Sequence, residues 1–459
     1  MGNYKKFFKN KKITVMGLGI LGRGLGYTKF LAECGADLIV TDLKIRKQLA
    51  TSIKALKKFS NIKFVLGEHR LKDFKNRDMI IKSAGVPLDS IYIKEARKNG
   101  IPVEMDVSLF VKCAPEVKVV GITGTRGKSM VTALVYEILK KNEKFLKKKV
   151  YIGGNVRGVA TLPLLKKVKA GDILVCELDS WQLQGFRHRQ GFGGQVGEAG
   201  FSPHIAVFTS FMPDHMNYYK NSIKNYFNDK ANIFKYQKQG DVLIIRPDVK
   251  KLIPKNIKSK LITINTKNIN KYNFSVLGEF QKENLACAIE VAKQFNISDV
   301  KITQALKNFE WLEGRLQYVK TVKGVKIYND NNATTPEATI AGIEALSISP
   351  TRGVGEKRII LICGGADKKL PLDDFIKVVN KYCKAVIMIP GTGTDRLVSS
   401  GKVLVTNKVK DLKIAVKTAL GLASRGDTIL FSPAFASFGQ FNNEYERGDL
   451  FMKIIKNLR

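Results

Sequence analysis

The sequence predicts an α/β protein made of three consecutive α/β domains with mostly parallel sheets. Three observations predict this. Short apolar runs alternate with helix-like segments along the whole chain, the pattern of strands joined by crossover helices. Two of those runs end in glycine-rich turns that open helices, "GLGILGRG" from Gly17 and "GITGTRGKS" from Gly121. Finally, 459 residues exceed what one core organises, since domains usually take ~100–200 residues each.

Residues 12–42 read as a βαβ opening: strand "KITVMGL", a turn, helix "LGRGLGYTKFLAECG" and strand "DLIVTD". Gly17, Gly19 and Gly22 spell G-x-G-x-x-G, and Asp42 follows Gly22 by twenty residues at the end of the next strand. That is the dinucleotide fingerprint of a Rossmann-like sheet, and alone it suggests an NAD-dependent enzyme. Alone it is also weak, because such turns occur in doubly wound sheets that bind other nucleotides or nothing. The alternation continues through "MIIKSAG" (79–85) and "IPVEM" (101–105), and a break at Cys113-Ala114-Pro115 closes a first domain, 1–115.

A second domain, 116–314, has strands near "DILVCEL" and "HIAVFTS" and helices near "SIKNYFNDKANIF" and "ENLACAIEVAKQF". Between them "RHRQGFGGQVGEAG" (187–200) has no apolar period and no helix start after it, so it reads as an exposed loop. The third domain, 315–459, starts with "GVKIYND" and continues through "RIILICGG", "AVIMIPG" and "TILFSPA" with helices between.

The second domain opens on the stretch with the clearest chemistry. In "KVVGITGTRGKSMVTALVYEIL" (118–139) an apolar strand passes through a glycine turn into a helix. Backbone N–H groups of Gly124 to Lys128, those of Thr125 and Gly127 among them, can point into a common concavity, and the helix start adds a field that favours anions. The Lys128 ammonium adds a full charge, and Ser129 stands where such loops place a Mg2+ ligand. The match to a P-loop is imperfect, since G-x4-G-K needs glycine where Ile122 stands. Glu177 closes "ILVCE", and Asp214 and His215 follow the strand in "HIAVFTSFMPDH". A hydroxyl, a carboxylate and an imidazole beside a phosphate suit Mg2+; a helix-capping aspartate and a surface histidine would look the same.

Composition narrows the partners. The net charge is +38, from 78 Lys+Arg against 40 Asp+Glu. The lysines are spread in short clusters such as "KKFFKNKK" and "LKKKV", which reads as a solvated basic surface that steers phosphorylated ligands rather than a dedicated nucleic-acid groove. No apolar run approaches the ~18–20 residues that span a bilayer, and "KKITVMGLGIL" reads as a first strand and turn rather than a leader. The six cysteines (34, 113, 176, 287, 363, 383) show no paired spacing, which suggests neither a zinc site nor a disulfide framework and fits a reducing cytoplasm.

Eight motifs then occur in one order: "GITGTRGKS", "GGNVRG", "CELDSWQL", "SPHIAVFTSFMPDHMNYY", "EGRLQ", "YNDNNATTPEAT", "ICGGADKKLPLDDF" and "LFSPAFASFGQFNNEYERGDLF". Together they resemble the Mur ligases of peptidoglycan synthesis across essentially the whole chain, and the family's G-x-T-G-T-x-G-K-[ST] loop accounts for the displaced first glycine. The resemblance implies a Rossmann-like UDP-binding first domain, a P-loop ATPase-like centre and a Rossmann-like C-terminal domain for the amino acid. It implies ATP, two Mg2+ ions, UDP-N-acetylmuramoyl-L-alanine and D-glutamate as ligands of a cytoplasmic monomer, with an acyl phosphate as intermediate. By the same resemblance Lys128 grips phosphate, and Ser129 and Glu177 serve the first Mg2+. His215 serves the second with Lys230, fifteen residues on, at the place of the family's carbamylated lysine. Asn155 lies near the reacting carboxylate, Asn284 at the adenine, and Arg315 and Asp330 at the ATP from the third domain. Gly19, Ile20, Leu21 and Gly22 form the uridine diphosphate turn with Asp42 near the uracil, and Thr334, Lys368 and Ser437 form the amino-acid pocket.

The chain departs from the family pattern at four places. Asn332 stands where lysine is common, Phe280 where histidine is usual and Glu444 where an aromatic is frequent, and "KSAG" (82–85) lacks the usual proline. These bear on the identity of the amino acid, leaving a Mur-type ligase for another amino acid such as L-glutamate as an alternative, and not on the phosphate loop. An NAD enzyme would leave Lys128 and Ser129 unused.

Overall fold

The computed structural model describes residues 4–187, 200–274, 277–347, 357–403 and 406–458. The glycine-rich stretch expected as an exposed loop therefore lies, from 188 to 199, outside the described residues.

Three sheets carry the chain. The first is formed by β1 (Lys12–Met16), β2 (Asp37–Asp42), β3 (Ile62–Leu66), β4 (Met79–Lys82) and β5 (Val103–Glu104) in the order β3-β2-β1-β4-β5, all neighbours parallel. The second holds β6 (Lys118–Thr123), β7 (Val150–Gly154), β8 (Ile173–Glu177), β9 (Ile205–Phe208), β10 (Val242–Ile245) and β11 (Lys260–Thr263) in the order β11-β10-β9-β6-β8-β7, again all parallel. Strands covered on both faces read as unbroken apolar runs, and every residue of β8, "ILVCE", is buried, its terminal glutamate included.

The third sheet takes β12 (Gln317–Val322), β13 (Val325–Asn329), β14 (Ile359–Cys363), β15 (Cys383–Met388), β16 (Thr406–Lys408) and β17 (Thr428–Phe431) in the order β12-β13-β17-β14-β15-β16. Its one antiparallel pair is the hairpin β12–β13, closed by Lys323 and Gly324, both at positive φ as two-residue hairpins require. Leu361 and Leu430 face one apolar cluster and Ile360, Ile362 and Ile429 another, which is the two-residue alternation of a sheet covered on both sides.

By internal packing the chain divides into two units. The first runs to Phe274 and adds Glu283–Lys307; the second takes Asn308 onward with the short segment ending at Lys282. Within the first unit one core joins both sheets: Val15 and Leu38 of the first and Val119, Leu174 and Phe208 of the second belong to the same cluster. The helix Asp106–Cys113 contributes Val107, Leu109, Phe110 and Val111 to it, so the chain leaves the first sheet through a packed helix end with Ala114 buried. Among the described residues no helix is long and apolar enough to cross a membrane.

Candidate active site

Open parallel sheets place ligands beyond the carboxyl ends of their strands. In the second sheet the ends of β6, β7, β8 and β9 supply the phosphate loop, Asn155, Glu177 and Thr209 from adjacent positions. The loop turns at Gly124 (φ +146°) and Gly127 (φ +87°) before the helix Lys128–Lys141. Glycine is required at both. A Cβ on Gly124 would lie 2.0 Å from Thr209 Oγ1, and one on Gly127 2.4 Å from Asn284 Oδ1. The loop is tied to the segment after β9: Thr125 N–H donates to the Ser210 carbonyl (2.7 Å) and Arg126 N–H to Ser210 Oγ (2.8 Å). No side chain caps the helix start at Gly127, and a helix start favours anions.

Two lysines converge on this loop. Lys128 Nζ donates to the carbonyls of Gly124 (3.0 Å) and Thr125 (3.1 Å). Lys230, in the helix Ile223–Ala231, donates to the same Gly124 carbonyl at 2.7 Å although it is 1% exposed. Burial, reinforced by the Lys128 charge, holds the Lys230 pKa well below the ordinary lysine value, while Asp179 and Asp214 oppose that shift. His215 sits at φ +56°, a left-handed conformation that side chains avoid unless surroundings impose it. Its ring packs on Trp181 (centroids 4.6 Å apart), and its Nε2 is 3.8 Å from Asp214 Oδ2, which also pairs with Arg126 Nη1 at 3.0 Å.

In the first sheet the Gly17–Gly22 turn leaves β1 next to the point where strand order reverses. Asp42 ends β2 beside this turn. Its carboxylate accepts Gly19 N–H and Lys44 N–H, both at 2.9 Å, and so braces the turn itself. Ile20 and Leu21 are exposed at the tip (43% and 42%). Asn155 follows β7, its N–H donating to the Glu177 carbonyl at 2.7 Å, and its side chain accepts from Arg23 Nη2 at 2.8 Å.

The second unit gathers three loops at the ends of β13, β14 and β17. Asp330 is 8% exposed, accepting Leu316 N–H (2.9 Å) and Ser432 Oγ–H (2.8 Å), and burial pushes its carboxyl up to about 7 against those bonds and Arg315. Lys368 Nζ donates to Thr334 Oγ1 at 3.1 Å. Ala366 and Ala436 exchange backbone bonds that hold the Lys368 loop against the loop bearing Ser437. Arg447, fully buried, reaches Asn331 Oδ1 (2.8 Å), Asn331 O (3.0 Å) and Phe435 O (3.3 Å), tying the Thr334 loop to the same Ser437 loop.

Family comparisons agree over these three regions. Residues 11–104 match the Mur ligase MurD-like N-terminal domain, 122–273 the Mur ligase middle domain, and 314–435 the glutamate ligase domain of Mur ligases. A protein of Borreliella burgdorferi named UDP-N-acetylmuramoylalanine–D-glutamate ligase is 34% identical, with 98% of each chain covered. One of that name from Roseiflexus is 32% identical over 97% of this chain and 98% of its own. The chain belongs to the Mur ligase family. Solved Mur ligases share the fold: MurC of Thermotoga maritima superposes with a TM-score of 0.61 at 18% identity over 98% of this chain and 100% of its own. A folylpolyglutamate synthase of Mycobacterium tuberculosis reaches 0.55 at 12% identity over 77% of this chain and 95% of its own.

The residues present fit the ATP and Mg2+ that a Mur ligase uses. The two glycines leave a cradle that a Cβ would fill, and two lysines face it. Among the described residues no group of three or more His, Cys, Asp and Glu is arranged to hold a metal. Mg2+ keeps water and phosphate oxygens in its shell and takes one or two protein ligands; Ser129 and Glu177 are of the right kind. Sequence reasoning misses Arg126, Trp181 and Arg23, which hold Asp214, His215 and Asn155. Each acts on a partner far away in sequence, and no local pattern marks it.

Proposed function

We infer that this Mur ligase is an ATP-dependent amide ligase that joins D-glutamate to UDP-N-acetylmuramoyl-L-alanine in cytoplasmic peptidoglycan precursor synthesis. The observation that carries the reading is the convergence of the Gly124–Ser129 loop, Glu177 and buried Lys230 at one sheet edge, in a chain aligned end to end with ligases of that name.

A carboxylate oxygen of the UDP substrate attacks the γ-phosphorus of ATP and ADP leaves. The amine of the incoming amino acid then attacks the acyl carbon, phosphate leaves with the bonding pair, and the amine gives up a proton. Such phosphoryl transfer needs positioning and charge neutralisation more than covalent participation. Lys128 and the start of its helix hold the β and γ phosphates, while the Thr125 and Arg126 N–H groups are taken up by Ser210, and Asn155 lies at the reacting carboxylate. Mg2+ held by Ser129 and Glu177, with a second ion at His215 and Lys230, would neutralise phosphate charge. Lys230 serves there as a carbamate: burial favours its neutral amine, which is the form that combines with CO2. Asn284 serves the nucleotide. Gly19, Ile20, Leu21, Gly22 and Asp42 form the turn for the UDP group, with Asp42 acting through the turn's backbone. Lys368, Thr334 and Ser437 bind the acceptor's carboxylates.

The test is a substrate panel: UDP-N-acetylmuramoyl-L-alanine and ATP with D-Glu, L-Glu, D-Asp, L-Lys or meso-diaminopimelate in turn. D-Glu is expected to give the most product and the strongest ADP release. More product with L-Lys or diaminopimelate would overturn the assignment.

A further inference from the structure

Arg23 is the first residue of the helix Arg23–Glu33, directly after the glycine turn of the first sheet, and the only hydrogen bond of its side chain among the described residues runs to Asn155, 132 positions away. A guanidinium has five donors and no acceptor, and it does not deprotonate in proteins. A side-chain amide has one acceptor end and one donor end, and its partners decide which way it faces. The Arg23–Asn155 bond therefore has one allowed sense: oxygen toward Arg23, the Nδ2 donors toward the other side.

The surroundings hold both partners in place. Gly26 packs so tightly on the segment after Asn155 that a Cβ there would lie 2.6 Å from Ala160 Cβ, and Gly22 faces Gly158. Asp106 accepts Thr161 N–H and Leu162 N–H, both at 2.7 Å, which pins the far end of that segment. Tyr27 OH donates to the Gly17 carbonyl at 3.2 Å, joining the helix to the turn before it. Arg23 makes no ion pair among the described residues, so no carboxylate in contact neutralises its charge.

We propose that Arg23 is a positioning residue that sets the Asn155 amide with its N–H donors toward the substrate's carboxylate. This rests on the reading that Asn155 lies at that carboxylate. With the donors so directed, Asn155 stabilises the anionic oxygens of the carboxylate and of the acyl phosphate. With the amide reversed, its oxygen would repel them. Arg23 thereby links the turn for the UDP group to the reacting end of the same substrate.

The experiment compares full-length Arg23→Leu, Arg23→Lys, Asn155→Ala and the double variant Arg23→Leu/Asn155→Ala with wild type. Arg23→Leu should lower kcat/KM for UDP-N-acetylmuramoyl-L-alanine about 10–100-fold, the usual worth of a charged hydrogen bond, with the KM for ATP and the melting transition unchanged. Arg23→Lys, which still donates, should recover most of the loss. The double variant should be no worse than Asn155→Ala alone, because Arg23 acts through Asn155. By calorimetry UDP-N-acetylglucosamine, which has the nucleotide but no carboxylate, should bind Arg23→Leu as it binds wild type. Equal weakening of that probe, an added loss from Arg23→Leu in the Asn155→Ala background, or full activity of Arg23→Leu would each overturn the proposal. Wild-type turnover separates the two levels: its absence would sink the functional reading, whereas its presence beside any of those results sinks only the role of Arg23.

Discussion

The second and third sheets both end in a buried ionisable group, and the two groups carry charges of opposite sign when ionised. Under the phosphate loop of the second sheet Lys230 is 1% exposed, and burial lowers its pKa. After β13 of the third sheet Asp330 is 8% exposed, and burial raises its carboxyl to about 7. Neither makes an ion pair among the described residues: Lys230 donates to a carbonyl, and Asp330 accepts from a backbone N–H and a hydroxyl. A group buried this way costs stability in its charged form. Burial thus disfavours the charged form of both, lowering the pKa of the amine and raising that of the carboxyl.

The largest effect should come from the loop that both lysines face. Lys128→Ala removes the charge on the phosphates, and loss of such a preorganised group costs roughly 10²–10³-fold in turnover. It also removes the second cause of the low Lys230 pKa. Calorimetric titration with UDP-N-acetylmuramoyl-L-alanine should give unchanged affinity, since the turn proposed for the UDP group belongs to another sheet. Loss of that binding with the fold intact would break the separation of the two nucleotide sites.

Lys230→Ala should be nearly as damaging to activity, and acetate or propionate should restore part of it by supplying the carboxylate oxygens of the proposed carbamate. Full activity without additive would reduce Lys230 to a structural lysine. Lys230→Met sharpens the comparison, because an apolar side chain in place of a buried amine removes the cost of charging it. The sign follows from linkage. Between its low native pKa and the ordinary lysine value the unfolded chain binds the proton and the native chain does not, so this group makes stability rise with pH. The melting temperature of Lys230→Met should therefore exceed that of wild type by more at pH 6 than at pH 9.

Asp330 should behave in the opposite sense. Between pH 3.8 and about 7 the native carboxyl keeps a proton that the unfolded chain has lost, so stability falls as pH rises through that window and is flat above it. Asp330→Asn keeps an acceptor for Leu316 N–H and presents an amide to Ser432 Oγ, so it should gain about 2–4 kcal/mol at pH 8 and little at pH 4. Denaturant melts of the variant at both pH values check this. An equal effect at both would show that the carboxyl is ionised throughout.

Much of this arrangement is legible in the sequence, and the missing part has physical reasons. Strands β2, β8, β9, β14 and β17 stand out because burial on both faces makes them unbroken apolar runs. Strand β12, "QYVKTV", escapes notice because it lies at a sheet edge with most residues half-exposed, so its alternation is faint. Strand β7, "VYIGG", ends in two glycines, which weaken its strand pattern, although Gly154 is needed there because a Cβ would lie 2.0 Å from the Glu177 carbonyl. The phosphate loop is visible in its own residues. Lys230 and Asn155 emerge only through the family resemblance, because their importance comes from the Gly124 carbonyl and from Arg23, both more than a hundred positions away. Asp42 falls on its strand end as the sequence predicts, and there its two backbone bonds brace the turn.

The smallest predicted effect separates the two glycine turns. Gly19 has φ +63° and open space where a Cβ would stand, with nothing within 4 Å, whereas Gly124 combines φ +146° with Thr209 Oγ1 at 2.0 Å. Gly19→Ala should therefore cost only the left-handed backbone term of about 1–2 kcal/mol, since its N–H bond to Asp42 needs no side-chain room. Gly124→Ala adds a collision with Thr209 and with the backbone of Ser210, so its loss should be clearly larger and should carry the ATP site with it. Urea unfolding and ATP-dependent turnover on the two variants decide the point. At saturating UDP substrate Gly19→Ala should keep its turnover, and its KM for that substrate should rise because the new methyl enters open space beside the exposed Ile20 and Leu21. Equal stability losses in the two variants would mean that the turns are alike in packing, and that the crowding around Gly124 relaxes at no cost.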